Sequence, residues 1–296
     1  MTTDEKLAAI QSAVQTDPGG RGLARDPNDN LFRATAGDFP AACRDIVAAT
    51  NPTVALTTGF FIPTARPPAF ETDGPLGAIF LRRALQACEI PVCYHCEEAL
   101  SRILAAAHRR CHIPDDPGKG EAERCSHRIA IERSGPGPDG RHYTMRGRDV
   151  TEHHDAGLTR WFEQTGRTCG LKVTTIGIGD GGNEIGMGKI AHETIVKNIP
   201  NGDRIHCRVA TDHLVVAGVS NWGAYALAAG VLLLRGRSPP ADLFDPDQER
   251  AILEVLVREG PLVDGVTGQP SVSVDGLSWE EYVKPLVRIR EILESK

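Results

Sequence analysis

The feature that most constrains this chain is the alternation of short β-branched or aliphatic runs with segments of helical length. Residues 53–57 (TVALT), 90–94, 128–132, 171–178 and 204–210 read as strands. Residues 4–14, 38–50, 75–87, 97–110, 152–168, 221–234, 247–259 and 279–294 read as helices, with Pro52 stopping the second and a further helix expected from about Asn183. Strands separated by whole helices cannot pair as tight hairpins, so the pattern predicts a mostly parallel sheet with helices on both faces. The proline- and glycine-rich SGPGPDGRH interrupts the alternation as a hairpin excursion.

The expected fold is a three-layer, Rossmann-like α/β domain over residues 1–296, with a helical lead-in over about 1–50 and closing helices over about 240–296. Its 41% hydrophobic residues supply a core, whereas 5% aromatics give little for base stacking. A net charge of −6 provides no general attraction to nucleic acid or to an anionic membrane. The longest apolar run, 224–234, is far short of the roughly 20 residues that span a bilayer. The acidic N-terminal segment MTTDEKLAAIQSAV lacks a signal core, and the eight scattered cysteines do not resemble a secreted disulfide scaffold. A cytoplasmic protein acting on a small molecule, without nucleic-acid or membrane partners and open to homo-oligomerisation, is the expectation.

In such sheets ligands gather at the C-terminal ends of the strands. The tip after residue 178 reads IGIGDGGNEIGMGK, where Gly177, Gly179 and Gly182 match a dinucleotide fingerprint. Asp180 inside the turn would face a pyrophosphate, and no acid stands cleanly after the next strand for a ribose. A phosphate-binding P-loop fails as well, because Gly188-Lys189 is followed by isoleucine. The loop better suits a small zwitterion. Its free amides attract a carboxylate, while Asp180 and Glu184 can meet an ammonium, hold a divalent cation, or serve as acid and base.

Other tips carry further candidates. Glu71, Thr72 and Asp73 precede Gly74-Pro75, with Asp73 placed to cap the next helix. Glu132 and Arg133 end a strand, and a guanidinium there can clamp a carboxylate. Asp212, Ser220 and Asn221 flank the last tip, with Ser220 a natural N-cap. Cys93-x-x-Cys96 with His108, Cys111 and His112 loosely matches zinc or redox spacing, but a helix over 97–110 would hold the two halves about 20 Å apart. His142, His153 and His154 read as solvated.

Taken together, TTGFFIP, PPAFETDGPLGA, IERSG, DGRHYTMRG, IGDGGNEIGMG and DHLVVAGVSNWGAYAL resemble the catalytic C-terminal region of the D-glutamate cyclase family, in a stand-alone prokaryotic form. The resemblance implies a lyase that reversibly dehydrates D-glutamate to 5-oxo-D-proline. Carried onto this sequence, it would use Asp180 and Glu184 toward the amine or a Mg, Mn or Ca ion, with Glu71 and Asp73 as further acid or metal-ligand groups. Gly181, Gly182 and Asn183 with Arg133 would hold a substrate carboxylate, and Glu132, Thr72, Asp212, Ser220 and Asn221 would complete the binding set. A metal-dependent hydrolase or lyase on another small acid, and an amino-acid-binding module without turnover, use the same residue types.

Overall fold

The computed structural model describes residues 1–113, 122, 124–164 and 173–295. Five strands, β1 (Val54–Thr58), β4 (Val92–Tyr94), β5 (His127–Ile131), β6 (Thr174–Gly179) and β7 (His213–Val216), form a parallel sheet in the order β4-β1-β5-β6-β7. Two short strands, β2 (Phe61–Ile62) and β3 (Ala69–Phe70), pair antiparallel beyond the end of β1. The chain first builds outward from β1 to β4, then returns to place β5 on the other side of β1. This reversal leaves a crevice between the C-terminal ends of β1 and β5, the position where open α/β sheets bind ligands.

Side chains alternate across the sheet. Val54, Leu56, Ile129, Ile131, Ile176, Ile178 and Val215 enter the larger core with α1 (Thr3–Val14), α3 (Asp38–Ala48), α4 (Pro75–Ala87), α5 (Glu98–Arg110), α9 (Ser220–Leu234), α10 (Pro246–Arg258) and α12 (Lys284–Glu294). Ala130, Leu214 and Val216 face a smaller cluster on the other side. Residues from α2 (Leu31–Ala34), α6 (Ala156–Glu163), α7 (His192–Asn198) and α8 (Gly202–Ile205) cover it. The remaining helix, α11 (Trp279–Tyr282), leads into α12. The three-layer expectation holds, as does the excursion: Pro136 pairs with His142 and Tyr143 with Asp149 in isolated antiparallel bridges. No described helix is long and apolar enough to cross a membrane.

Two sequence expectations fail, for one reason. Residues 204–210 are not a sheet strand, and no helix opens at Asn183. The glycine segment instead turns back over β6: a Cβ on Gly177 would lie 2.5 Å from the Ile185 carbonyl oxygen, and Gly182 and Gly186 have φ of 108° and 110°. The 204–210 segment then hydrogen-bonds this loop and the hairpin rather than the sheet, through Cys207 N to Gly182 O and Arg208 N to Pro136 O. Ile205, Cys207 and Val209 still alternate into the smaller core, which is why the segment imitates a strand. The real last strand lies just beyond, so its tip follows Val216 rather than Ala210. The expected helix over 152–168 is a 3-10 turn (Thr151–His153) followed by α6, and its end falls outside the described residues.

The two most intimately packed helices are α4 and α9. A Cβ on Gly77 would come within 2.8 Å of Asn221 Cα and 3.0 Å of Ala224 Cβ. Asn221 Oδ1 accepts the amides of Gly74 (2.8 Å) and Gly77 (2.7 Å), while Asp73 accepts the amides of Ser220 (2.9 Å) and Asn221 (2.8 Å). Each helix N-terminus is thus capped from the other's entry, satisfying buried donors that have no intrahelical partner. Asp73 caps α9 rather than its own helix, and Ser220 is the first residue of α9 rather than its N-cap. Gly77→Ala should destabilise the protein by about 1–3 kcal/mol, read by chemical denaturation, because the added methyl has no space at the crossing.

Behind these caps, Tyr282 accepts from Asn221 Nδ2 (3.0 Å) and Tyr225 donates to buried Glu249 (2.5 Å). Burial drives the Glu249 carboxyl up to about 8, outweighing the opposing pull of Tyr225 and Arg83. Because its folded value exceeds its unfolded one, the stability it contributes is present at low pH and is lost as pH rises toward 8. Thermal melts of Glu249→Gln should therefore gain on the wild type between about pH 5 and pH 8 and level off above it.

Candidate active site

The crevice is built from strand ends. After β1 the chain makes the β2–β3 hairpin and returns with Glu71, Thr72 and Asp73, all buried. The loop carrying Asp264 holds this return in place: Glu71 bridges to Val263, and Thr72 N donates to Val263 O at 2.9 Å. Glu132 follows β5 with φ of 43°, a left-handed conformation unusual for a non-glycine residue and found preferentially where a side chain must be aimed. Its carboxylate accepts from Ser220 Oγ at 2.6 Å. Asp180 follows β6. Three carboxylates from three different strand ends, Asp73, Glu132 and Asp180, place oxygens within 4.8 Å of one another, a spacing that could hold a metal ion.

One guanidinium answers them. Asp17 gathers the amides of Arg21 (2.9 Å), Gly22 (2.8 Å) and Leu23 (3.1 Å) into a tight turn that projects Arg21 into the crevice. Its Nη1 pairs with Asp180 and its Nη2 lies 2.9 Å from Asp275. Asp275, like Glu132, has a positive φ (57°), and its Oδ2 is buried without a partner. Glu71, Glu132, Asp180 and Asp275 with Arg21 line a cavity of about 210 Å³.

Negative charge is in excess. Burial raises Glu71, Glu132 and Asp180 well above the usual carboxylate range, and neighbouring carboxylates add to it. Burial and the charge of Asp275 raise Asp73 to about 7, against the opposing α9 amides. Groups so placed must share protons or gain a cation, because like charges at this separation cannot all ionise in a dry site. All the donors are hard oxygens, which suits Mg²⁺, Mn²⁺ or Ca²⁺ rather than a soft metal.

The structure brings together Glu71, Asp73, Glu132, Asp180, Asn183, Ser220 and Asn221, the last through its caps. Other expected residues are engaged elsewhere. Glu184 is buried beside the site but turns back onto its own loop, accepting from Gly182 N at 2.8 Å, so the anion place expected at that amide is filled internally. Glu132, not Glu184, is the third member of the carboxylate group. The Arg133 guanidinium is fully buried and grips Glu97, at 2.8 and 2.6 Å, and is thereby withdrawn from the cavity. Thr72 Oγ1 donates to Ser273 O. Asp212 accepts from Thr175 N and Oγ1 near the start of β6, the opposite end of the sheet.

His142 is buried and stacks on His154, with burial lowering both, His142 to about 4; neither is a solvated base. His108 is buried between Tyr94 and Arg82, away from any zinc set among the described residues. Missing from the sequence reading were Arg21 and Asp275, and with them Arg146 and Arg148, which line the cavity from the hairpin. The turn signals DPGGRG and VDG marked the loops of the first two but not their destination.

Comparison with known proteins relates the chain as a whole to others. The D-glutamate cyclase mitochondrial protein of Homo sapiens is 30% identical over 337 residues, covering 98% of this chain, and the chain spans about half (52%) of that relative's length. A solved structure of RecJ in complex with Mn²⁺ from Thermus thermophilus covers 86% of this chain and 30% of its own at 9% identity and a TM-score of 0.34, too slight a likeness to carry an inference.

A divalent cation should raise the melting temperature at pH 8 by roughly 5 °C at a hundredfold excess over its Kd, and by progressively less toward pH 5 as protons compete. Asp180→Asn should abolish the shift while leaving the metal-free protein about as stable, since burial already disfavours a charge at this position despite Arg21. No shift at any pH would contradict a cation site here.

The family model for D-glutamate cyclase-like C-terminal regions matches residues 10–290, and the chain belongs to that family.

Proposed function

We propose that the protein is a hydro-lyase of the D-glutamate cyclase type, interconverting D-glutamate with 5-oxo-D-proline and water. The observation that carries this reading is the convergence of Asp73, Glu132 and Asp180 around one guanidinium, in a family whose relative bears that activity in its name.

Ring closure joins the α-amino nitrogen to the γ-carboxyl carbon and expels water. The amine arrives as an ammonium and must lose a proton before it attacks. The γ-carboxylate must be neutralised, because its negative charge repels a nucleophile. Buried carboxyl groups whose hold on a proton is strengthened meet both demands. One that is ionised takes the ammonium proton, while one that is protonated gives its proton to the γ-carboxyl oxygen; after attack the nitrogen's second proton refills that donor, and the proton first taken passes to the hydroxyl that departs as water. Asp73, raised to about 7, is poised for such exchange at physiological pH. Ser220 Oγ orients Glu132, and Arg21 orients Asp180. A divalent cation bound by these three carboxylates would act as a Lewis acid on the substrate carboxyl. The surrounding burial keeps bulk water from competing with the amine in closure, and the same groups run in reverse for hydrolysis of the lactam.

Purified protein, with and without divalent cation, should convert D-glutamate and 5-oxo-D-proline to the same equilibrium mixture, followed by chiral chromatography, and should leave L-glutamate unchanged. Asp180→Asn and Glu132→Gln should each lower kcat by roughly 10²–10⁴-fold. Absence of conversion in both directions would contradict the reading.

A further inference from the structure

The carboxylate floor of the cavity faces a cationic rim that the reaction, as described, does not use. Residues 144–148 form a tight turn at the tip of the hairpin, closed by Thr144 N to Arg148 O (2.9 Å) and Gly147 N to Thr144 O (2.8 Å), with Gly147 at φ 72°. The turn is fastened to the site. Asn183 Nδ2 donates to Tyr143 O at 2.8 Å, and Asn201 Nδ2 donates to Met145 O at 3.1 Å. The approach is close enough that a Cβ on Gly181 would sit 2.5 Å from Met145 Sδ. The glycine after Asp180 therefore serves the docking of the hairpin.

Arg146 and Arg148 project from this turn and line the cavity together with Glu71, Glu132, Asp180 and Asp275. Both are exposed, and neither belongs to an ion pair among the described residues, although the floor of the same cavity carries surplus carboxylate. Cations and anions that share a cavity without touching leave a gap between them. At that boundary Asn183 is buried, and its Oδ1 has no hydrogen-bond partner, an acceptor left over at the wall of the cavity.

We propose that Arg146 and Arg148 form the anion-reading subsite of this cavity, taking the carboxylate of the ligand that does not react. This rests on the cyclase reading and deepens it. With the amine and the γ-carboxyl over the floor carboxylates, the α-carboxylate extends to the rim, where two guanidinium groups receive it. Asn183 Oδ1 accepts a hydrogen bond from the ligand's ammonium between the two ends. The lactam keeps the α-carboxylate, so the subsite serves both directions of the reaction. It selects amino acids that carry a second, free carboxylate over amines with a single one.

The test is Arg146→Gln, Arg148→Gln and the double variant, assayed with D-glutamate and with 4-aminobutyrate, which keeps the amine and the reacting carboxyl but lacks the α-carboxylate. These exposed, unpaired side chains should leave the melting temperature within about 1 °C of wild type, as surface substitutions generally do. Each single change should raise KM for D-glutamate roughly tenfold, and the double roughly a hundredfold, with kcat within about twofold. Calorimetric binding of D-glutamate should weaken in parallel. The wild-type preference for D-glutamate over 4-aminobutyrate should collapse in the double variant, and lysine at both positions should restore part of it. A double variant that binds and turns over D-glutamate like an active wild type overturns the subsite alone. A wild type that neither binds nor converts D-glutamate overturns the cyclase reading, and this subsite with it.

Discussion

Surplus negative charge held out of water is the constraint around which the rest of this molecule is arranged. Glu71, Asp73, Glu132, Asp180 and Asp275 crowd about Arg21, and burial alone would neutralise several of them. Four of them are braced from outside the group of carboxylates. Asp73 is bound to the α9 amides, Glu132 to Ser220, Asp180 to the Asp17-supported Arg21, and Glu71 lies in a backbone bridged to Val263. Left unbraced, like charges would move apart. Held in place, Glu71, Asp73, Glu132 and Asp180 keep their protons more tightly than free carboxyls, and three of them have a spacing that could hold a metal ion.

The sheet explains how one short chain gathers these groups. Parallel strands point all their C-terminal ends the same way, and reversal of strand order between β1 and β5 opens a gap where those ends face one another. The reciprocal caps between α4 and α9 close the back of the gap, so the pair of helices that forms the largest packing contact of the core also sets the position of Asp73. The atoms that cap the two helices also hold a carboxylate of the candidate site, so Asn221 has a structural part in it.

Much of this was legible in the sequence. Strand and helix periodicity carry the layer architecture, and the rule that ligands collect at strand ends points to Glu71, Asp73, Glu132 and Asp180. Three things were not legible. The 204–210 segment has a strand's alternation, but its hydrogen bonds go to loops, and alternation records burial rather than pairing partner. A helix from Asn183 would set Glu184 beside Asp180, whereas the glycines fold the loop back and turn its carboxylate onto Gly182 N. Arg21, Asp275, Arg146 and Arg148 act through approaches of chain segments far apart in sequence, for which local patterns carry no signal. Arg133 shows the converse, since a well-placed guanidinium at a strand end was already engaged by Glu97.

A crystal structure with D-glutamate soaked in tests the account most directly, because it shows where each end of the ligand lies. The account predicts ligand density in the cavity between the strand ends and the hairpin, with the amine and one carboxyl over Asp73, Glu132 and Asp180. Density at another place on the surface, or a ligand in the cavity whose amine points away from these three carboxylates, would contradict it.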